Sequence, residues 1–156
     1  EGRLAQGKPE QPIALIASNT NSFSSDLPFF KQPIHRWLLS KHTYTNNIRF
    51  KTNYEKHVKL EESWSKTLTS LKEKGISKLA LLGGANLIYS FLLEDQIDEL
   101  QLTITPKIIG GKFSWALNNI ENLPDNLSAE DSWNLTNAKA LGKNELLLNY
   151  LRNRTI

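Results

Sequence analysis

What most constrains this chain is the order in which two kinds of apolar spacing alternate along it. Ile13-Ala-Leu-Ile-Ala-Ser18 and Pro33-Ile-His-Arg-Trp-Leu-Leu-Ser40 are short apolar runs entered from proline and closed by serine, the form of buried strands. Trp64, Leu68 and Leu71 then recur at i, i+4 and i+7, which predicts a helix capped by Ser63, running to about Lys74 and stopped by Gly75. Lys78–Leu82 reads as a strand, Ala85–Leu93 as a helix, and Glu99–Thr105 as a strand in which Leu100, Leu102 and Ile104 alternate with polar neighbours. Strand, helix and strand in succession is α/β order.

The remaining segments fill in around that order. Asp26-Leu-Pro-Phe-Phe30 is a proline-broken turn with aromatic anchors, and Asn47–Phe50 and His57–Leu60 alternate as short edge strands do. From Lys107-Ile-Ile-Gly-Gly-Lys112 through Pro124 and Asp125 the pattern is an irregular excursion. Ser132–Lys139 and Asn144–Leu151 read as two strands joined through Leu141-Gly-Lys-Asn144 in a hairpin. The expected sheet is mixed, parallel early and antiparallel at the end. With 156 residues, 39% of them hydrophobic, the chain has the material for one domain with its own core.

Composition excludes several classes of function. The 19 basic and 16 acidic residues give a net charge of +3 and are scattered, with no basic stripe of the kind that binds nucleic acid. There is no cysteine, so neither a disulfide framework nor a thiolate metal site is available. His35, His42 and His57 lack the spacing of a metal motif, which makes them solvated or structural histidines. No run approaches the roughly 18 apolar residues of a membrane-spanning helix, and no charged start plus apolar core marks a signal peptide. The expectation is a soluble, cytoplasmic protein.

The segment Leu81-Leu-Gly-Gly-Ala-Asn-Leu-Ile-Tyr-Ser-Phe91 carries the functional question. A strand, two glycines and a helix would aim unpaired backbone N–H groups and the positive end of the helix dipole at one edge of a sheet, where phosphates bind. Glycine also lets a ligand approach the backbone closely. Gly83-Gly84 fits neither G-x-G-x-x-G nor the phosphate loop G-x-x-x-x-G-K-[ST], so local chemistry alone favours a plain turn slightly over a phosphate cradle and leaves both open.

Gly83-Gly-Ala-Asn-Leu87, a helix, Asp98-Glu-Leu-Gln-Leu-Thr-Ile-Thr-Pro106 and Ile109-Gly-Gly111, taken in that order, resemble the reductase domain of riboflavin biosynthesis. Gln11–Ser18 and Arg36–Ser40 are similar to the middle strands of that family, so the resemblance covers almost the whole chain. It implies a dihydrofolate reductase-like α/β fold of three layers, in which a mixed, mostly parallel sheet is flanked by helices and ends in an antiparallel hairpin. It implies a single domain over residues 1–156 that lacks the family's opening strands before Glu1. It also implies hydride transfer from NADPH to the opened ribose of 5-amino-6-(5-phosphoribosylamino)uracil, a phosphorylated pyrimidine, in a homodimer.

Carried over position by position, Gly83, Gly84, Ala85 and Asn86 would supply backbone contacts to the NADPH phosphates. Ser18, Asn19 and Ser40 would lie near the adenosine ribose and its 2′-phosphate, strand termination being the plain alternative for Ser18 and Ser40. Asp98-Glu99 reads as a solvated strand entrance, and Gly110-Gly111 as a turn. Leu82 occupies the position of a glutamate that contacts the family's substrate, and a buried leucine there could not hydrogen-bond a pyrimidine amine. That departure keeps open a reductase acting on another small molecule, or a non-catalytic binding or assembly relative. No side chain stands out as the proton donor.

Overall fold

Four apolar or small residues in succession at Trp37-Leu-Leu-Ser40 suit a strand covered on both faces, and all four are buried. In the computed structural model, which describes residues 2–7, 10–19, 23–42, 53–108 and 123–154, this run is β2 (Arg36–Ser40). It pairs in parallel with β1 (Ala14–Ala17) on one side and β3 (Lys56–Lys59) on the other, in the order β1-β2-β3. The registers are Ala17 opposite Leu39 and Ser40 opposite Lys59. These strands belong to the first of two compact units, Glu1–Ser77, the second being Lys78–Ile156.

Strand parity decides what each face of the first sheet does. Trp37, Leu39 and Val58 share a buried cluster with Leu71, against which Ile13, Leu15, Leu60, Trp64, Leu68 and Ile76 pack. Helix α1 (Trp64–Glu73) supplies its expected stripe to that cluster. Its start is fixed by Ser63, whose hydroxyl accepts from the Lys66 N–H at 3.2 Å. At its end the Ile76 N–H donates to the Leu71 carbonyl and the Gly75 N–H to that of Lys72, a Schellman closure that needs Gly75 at φ +90°. Elsewhere in this unit, the Pro28–Lys31 turn brings Phe29 and Phe30 edge to face at 5.1 Å, with Phe30 also 5.7 Å from the Tyr54 ring. The Arg36 guanidinium lies 5.3 Å from the centre of the Phe29 ring and donates to the carbonyl oxygens of Phe29 and Gln32. The aromatic anchoring expected of residues 26–30 is therefore present.

In the second unit, α2 (Ala85–Leu93) has the expected bounds, and β4 (Glu99–Ile104), β5 (Trp133–Ala140) and β6 (Leu146–Arg152) form an antiparallel sheet in the order β4-β6-β5. The β5–β6 hairpin turns through Gly142, Lys143 and Asn144, all at positive φ, and closes with the Leu141 N–H on the Glu145 carbonyl at 2.9 Å. Leu135 opposes Tyr150 and Asn137 opposes Asn149, so Thr136 is an extra residue in β5, a bulge whose hydroxyl donates to the Asn149 carbonyl. One face of this sheet carries Leu100, Leu102, Ile104, Leu148 and Tyr150; the other carries the amide row Gln101, Asn149 and Asn137, linked at 3.3 and 3.2 Å.

One expectation needs correction, and two are filled in. Lys78–Leu82 is not a strand: it has no ladder partner among the described residues, and an apolar run without a partner cannot satisfy strand hydrogen bonds whatever its composition. Among the described residues the mixed strand pairing consists of a parallel ladder, β1-β2-β3, and an antiparallel one, β4-β6-β5, the parallel part coming early and the antiparallel part at the end as expected. At the end of the excursion after Pro106, Asp125–Ser128 makes one helical turn, α3, entered from Pro124. The edge strand expected at Asn47–Phe50 and the glycines Gly110-Gly111 lie outside the described residues. The overall assignment to mixed α/β stands.

Candidate cofactor-binding site

The glycine pair ends in a true helix start. Gly84 is the N-cap of α2 at φ 71° and ψ 118°, a conformation L side chains rarely adopt, and its carbonyl accepts the first helical bond from the Ile88 N–H at 3.1 Å. No side chain caps this end, and no acidic residue sits in the first turn. The first N–H groups of α2 therefore lack the side-chain acceptor that Ser63 gives α1, which leaves them available to an anion. A Cβ placed on Gly83 would meet nothing within 4 Å, so the turn requires glycine at Gly84 and not at Gly83. Ala85 is half-buried and Asn86 exposed.

Leu82 is 93% exposed, which corrects the expectation of a buried leucine. Burial is a tertiary property, and a run that joins no sheet gives its leucines nothing to pack within. Leu82 thus presents an apolar surface beside the open helix end instead of filling a core.

The other candidate residues lie in the first unit, at the carboxyl edge of its parallel sheet, where ligands of open α/β sheets bind. Ser18 follows β1 and its N–H donates to the Leu39 carbonyl at 3.0 Å; Asn19 is exposed beyond it. Ser40 closes β2. It is 2% exposed and its hydroxyl donates to the His42 carbonyl at 2.9 Å, which turns the chain at the strand end. Because Ala17 pairs with Leu39, Ser18 and Ser40 terminate neighbouring strands at the same level. Lys59, opposite Ser40 in β3, is a residue that motif reading passed over; only the register places it there.

Asp98 and Glu99 serve the strand entrance as expected. Arg154 donates to the Asp98 carboxylate, and the Arg152 N–H donates to the Asp98 carbonyl at 2.8 Å. Among the described residues there is no group of His, Asp and Glu placed to hold a metal ion, and no helix is long and apolar enough to cross a membrane.

Comparisons with known proteins agree with this architecture. No curated protein matches the sequence. The chain is similar in structure to a putative riboflavin biosynthesis protein from Shewanella, at a TM-score of 0.56 and 22% identity, over 91% of this chain and 74% of that one. It is similar to RibD from Acinetobacter baumannii, at a TM-score of 0.65 and 15% identity, over 90% of this chain but only 37% of that one. A pyrimidine reductase-like protein from Corynebacterium diphtheriae matches at 0.63 and 17% identity, over 99% of this chain and 66% of that one. At these identities the likeness speaks to the fold, the dihydrofolate reductase-like α/β architecture. Residues 1–142 match the family described as the RibD C-terminal domain, and the chain belongs to that family, a reductase-type domain of riboflavin biosynthesis.

Proposed function

We propose that this chain is the NADPH-dependent reductase that converts the ribose of 5-amino-6-(5-phosphoribosylamino)uracil to a ribityl chain. The observation that carries the reading is the uncapped amino end of α2 behind Gly84, in a chain that matches the RibD C-terminal domain over residues 1–142. The residues fit the cofactor's phosphates: the helix end has neither a capping side chain nor a carboxylate to repel them, and Gly83 leaves the approach open.

When bound, NADPH supplies the hydride. The chain's own work is to bind and orient. The N–H groups at Ala85 and Asn86 would donate to phosphate oxygens, and Gly84 holds the backbone in the conformation that would aim them. Ser18 and Asn19, at the end of β1, offer hydrogen bonds to the adenosine ribose, while Ser40 shapes the neighbouring strand end through its bond to the His42 carbonyl. Leu82 gives an apolar surface beside the cradle, against which a flat ring can stack. We further propose that residues 1–156 act as one reductase-like domain, in the cytoplasm, and as a homodimer, for which sedimentation of the intact protein is the test.

The experiment is to add NADPH to the intact protein and follow its fluorescence, then add the aminouracil phosphate and follow oxidation. Turnover supports the reading; binding without turnover sinks it. The exposure of Leu82 favours a second reading, a reductase of the same fold with a less polar acceptor, in which NADPH is oxidised only with that other acceptor. If NADPH well above a micromolar dissociation constant fails to raise the melting temperature, the chain is a non-catalytic relative.

A further inference from the structure

We propose that Lys59 is the residue that selects a dinucleotide carrying a 2′-phosphate over one that lacks it. The inference rests on the cofactor reading above and adds a residue to it. It comes from strand register. Ser40 and Lys59 are direct partners in the parallel pairing of β2 with β3, and Ala17, just before Ser18, is the partner of Leu39, just before Ser40. Side chains at the same register position stand on the same face, so Ser18, Ser40 and Lys59 form one row across three strands at the carboxyl edge of the sheet. The opposite face is the one that α1 covers, through Trp37, Leu39 and Val58. Ser40 in the middle of the row is buried and its hydroxyl is bound to the His42 carbonyl, so the row offers a ligand the part-exposed Ser18 on one side and the exposed ammonium of Lys59 on the other, a pair suited to a phosphate monoester on a ribose.

The ammonium is held but not committed. Lys59 Nζ lies 3.1 Å from Glu61 Oε2, with the lysine side chain 56% exposed and the glutamate 30%. An exposed pair of this kind contributes little to stability and is easily exchanged. The main chain at Glu61 is anchored, because its N–H donates to the hydroxyl of Thr67 at 3.0 Å and Thr67 is fully buried. Lys59, the more exposed side chain of the two, is the one placed to turn toward a ligand. In the absence of a dianion Glu61 holds it near the edge; a 2′-phosphate, with more charge and more acceptor oxygens, displaces the carboxylate. Glu61 also disfavours any phosphate that does not engage the lysine, which sharpens the discrimination.

The test measures dissociation constants of NADPH and NADH for the intact protein, for Lys59→Gln and for Glu61→Gln. Lys59→Gln is expected to weaken NADPH about tenfold, the loss of one charge-assisted contact, and to change NADH by less than about twofold. Its NADPH affinity should also depend less on salt than that of the unmodified protein. Glu61→Gln, which frees the lysine, is expected to tighten NADPH and leave NADH unchanged. Both side chains are partly exposed, and equal melting temperatures confirm that folding is intact. Equal weakening of both dinucleotides by Lys59→Gln, or no effect on either, overturns the role of Lys59 while leaving the cofactor reading in place. Failure of the unmodified protein to bind either dinucleotide overturns both.

Discussion

Arg152 and Asp95 face each other across two parallel hydrogen bonds, Nε to Oδ1 at 2.8 Å and Nη2 to Oδ2 at 3.0 Å, with the arginine side chain only 3% exposed. The same guanidinium donates to the carbonyl oxygens of Ser132 and Asn126, at 2.9 and 3.0 Å, and lies 5.7 Å from the centre of the Trp133 ring. One side chain at the end of β6 thus ties together the turn after α2, the first residues of α3 and the start of β5. Removing the charge on Asp95 leaves a buried cation unpaired. Asp95→Asn, which keeps the side-chain shape and tolerates the left-handed φ of 50°, is expected to cost about 2–3 kcal/mol in urea unfolding.

The glycine pair separates backbone need from ligand access. Gly84→Ala forces a side chain into positive φ and should lower stability by about 1–3 kcal/mol. Gly83→Ala meets open space and should leave the melting temperature unchanged, yet weaken NADPH binding if the phosphates approach there. A Gly83→Ala protein that binds NADPH normally would make the pair a turn and nothing more.

Leucines of equal composition should respond unequally. Leu38 and Leu71 are 0% and 1% exposed, so truncation to alanine is expected to cost about 2–5 kcal/mol each. Leu82→Ala, at 93% exposure, should move stability by less than about 0.5 kcal/mol. Any change it makes in the choice of reductase substrate would then report on contact with the ligand alone.

Burial raises the phenol of Tyr54 above its ordinary value of 10.0, an effect the charge of Arg36 partly offsets. The unfolded chain releases this proton first, so the group's contribution to stability is intact below about pH 10 and falls as pH rises from there. Denaturant curves at about pH 8 and about pH 11 should therefore diverge more for the natural protein than for Tyr54→Phe.

Local chemistry made much of this fold readable. Ser63 and Gly75 bracket α1 because capping and left-handed closure depend on residues within a turn of each other, and Gly84 announced α2 in the same way. Trp37 and Leu39 revealed a strand by composition. What escaped the sequence were matters of partnership. Lys78–Leu82 has the residues of a strand but no neighbour among the described residues, and Leu82 is exposed in consequence. The meeting of Ser40 with Lys59 depends on a parallel register that no short turn fixes, since the strands are joined by a long connection. The link from Arg152 to Asp95 spans 57 positions and carries no motif.

The extra residue at Thr136 has a consequence for how this hairpin can change. Before it, Trp133 and Leu135 share a face with Arg152 and Tyr150; after it, Ala138 and Ala140 share that same face with Leu148 and Leu146. Odd positions give way to even ones at a single point, so Thr136 acts as a phase correction between the two halves of β5. Removing it, or inserting one more residue beside it, would turn half of the strand inside out, exchanging its leucine or alanines for asparagine and lysine. Changes of length here are tolerable only in pairs, which makes β5 a strand whose residues can be replaced more freely than they can be counted differently.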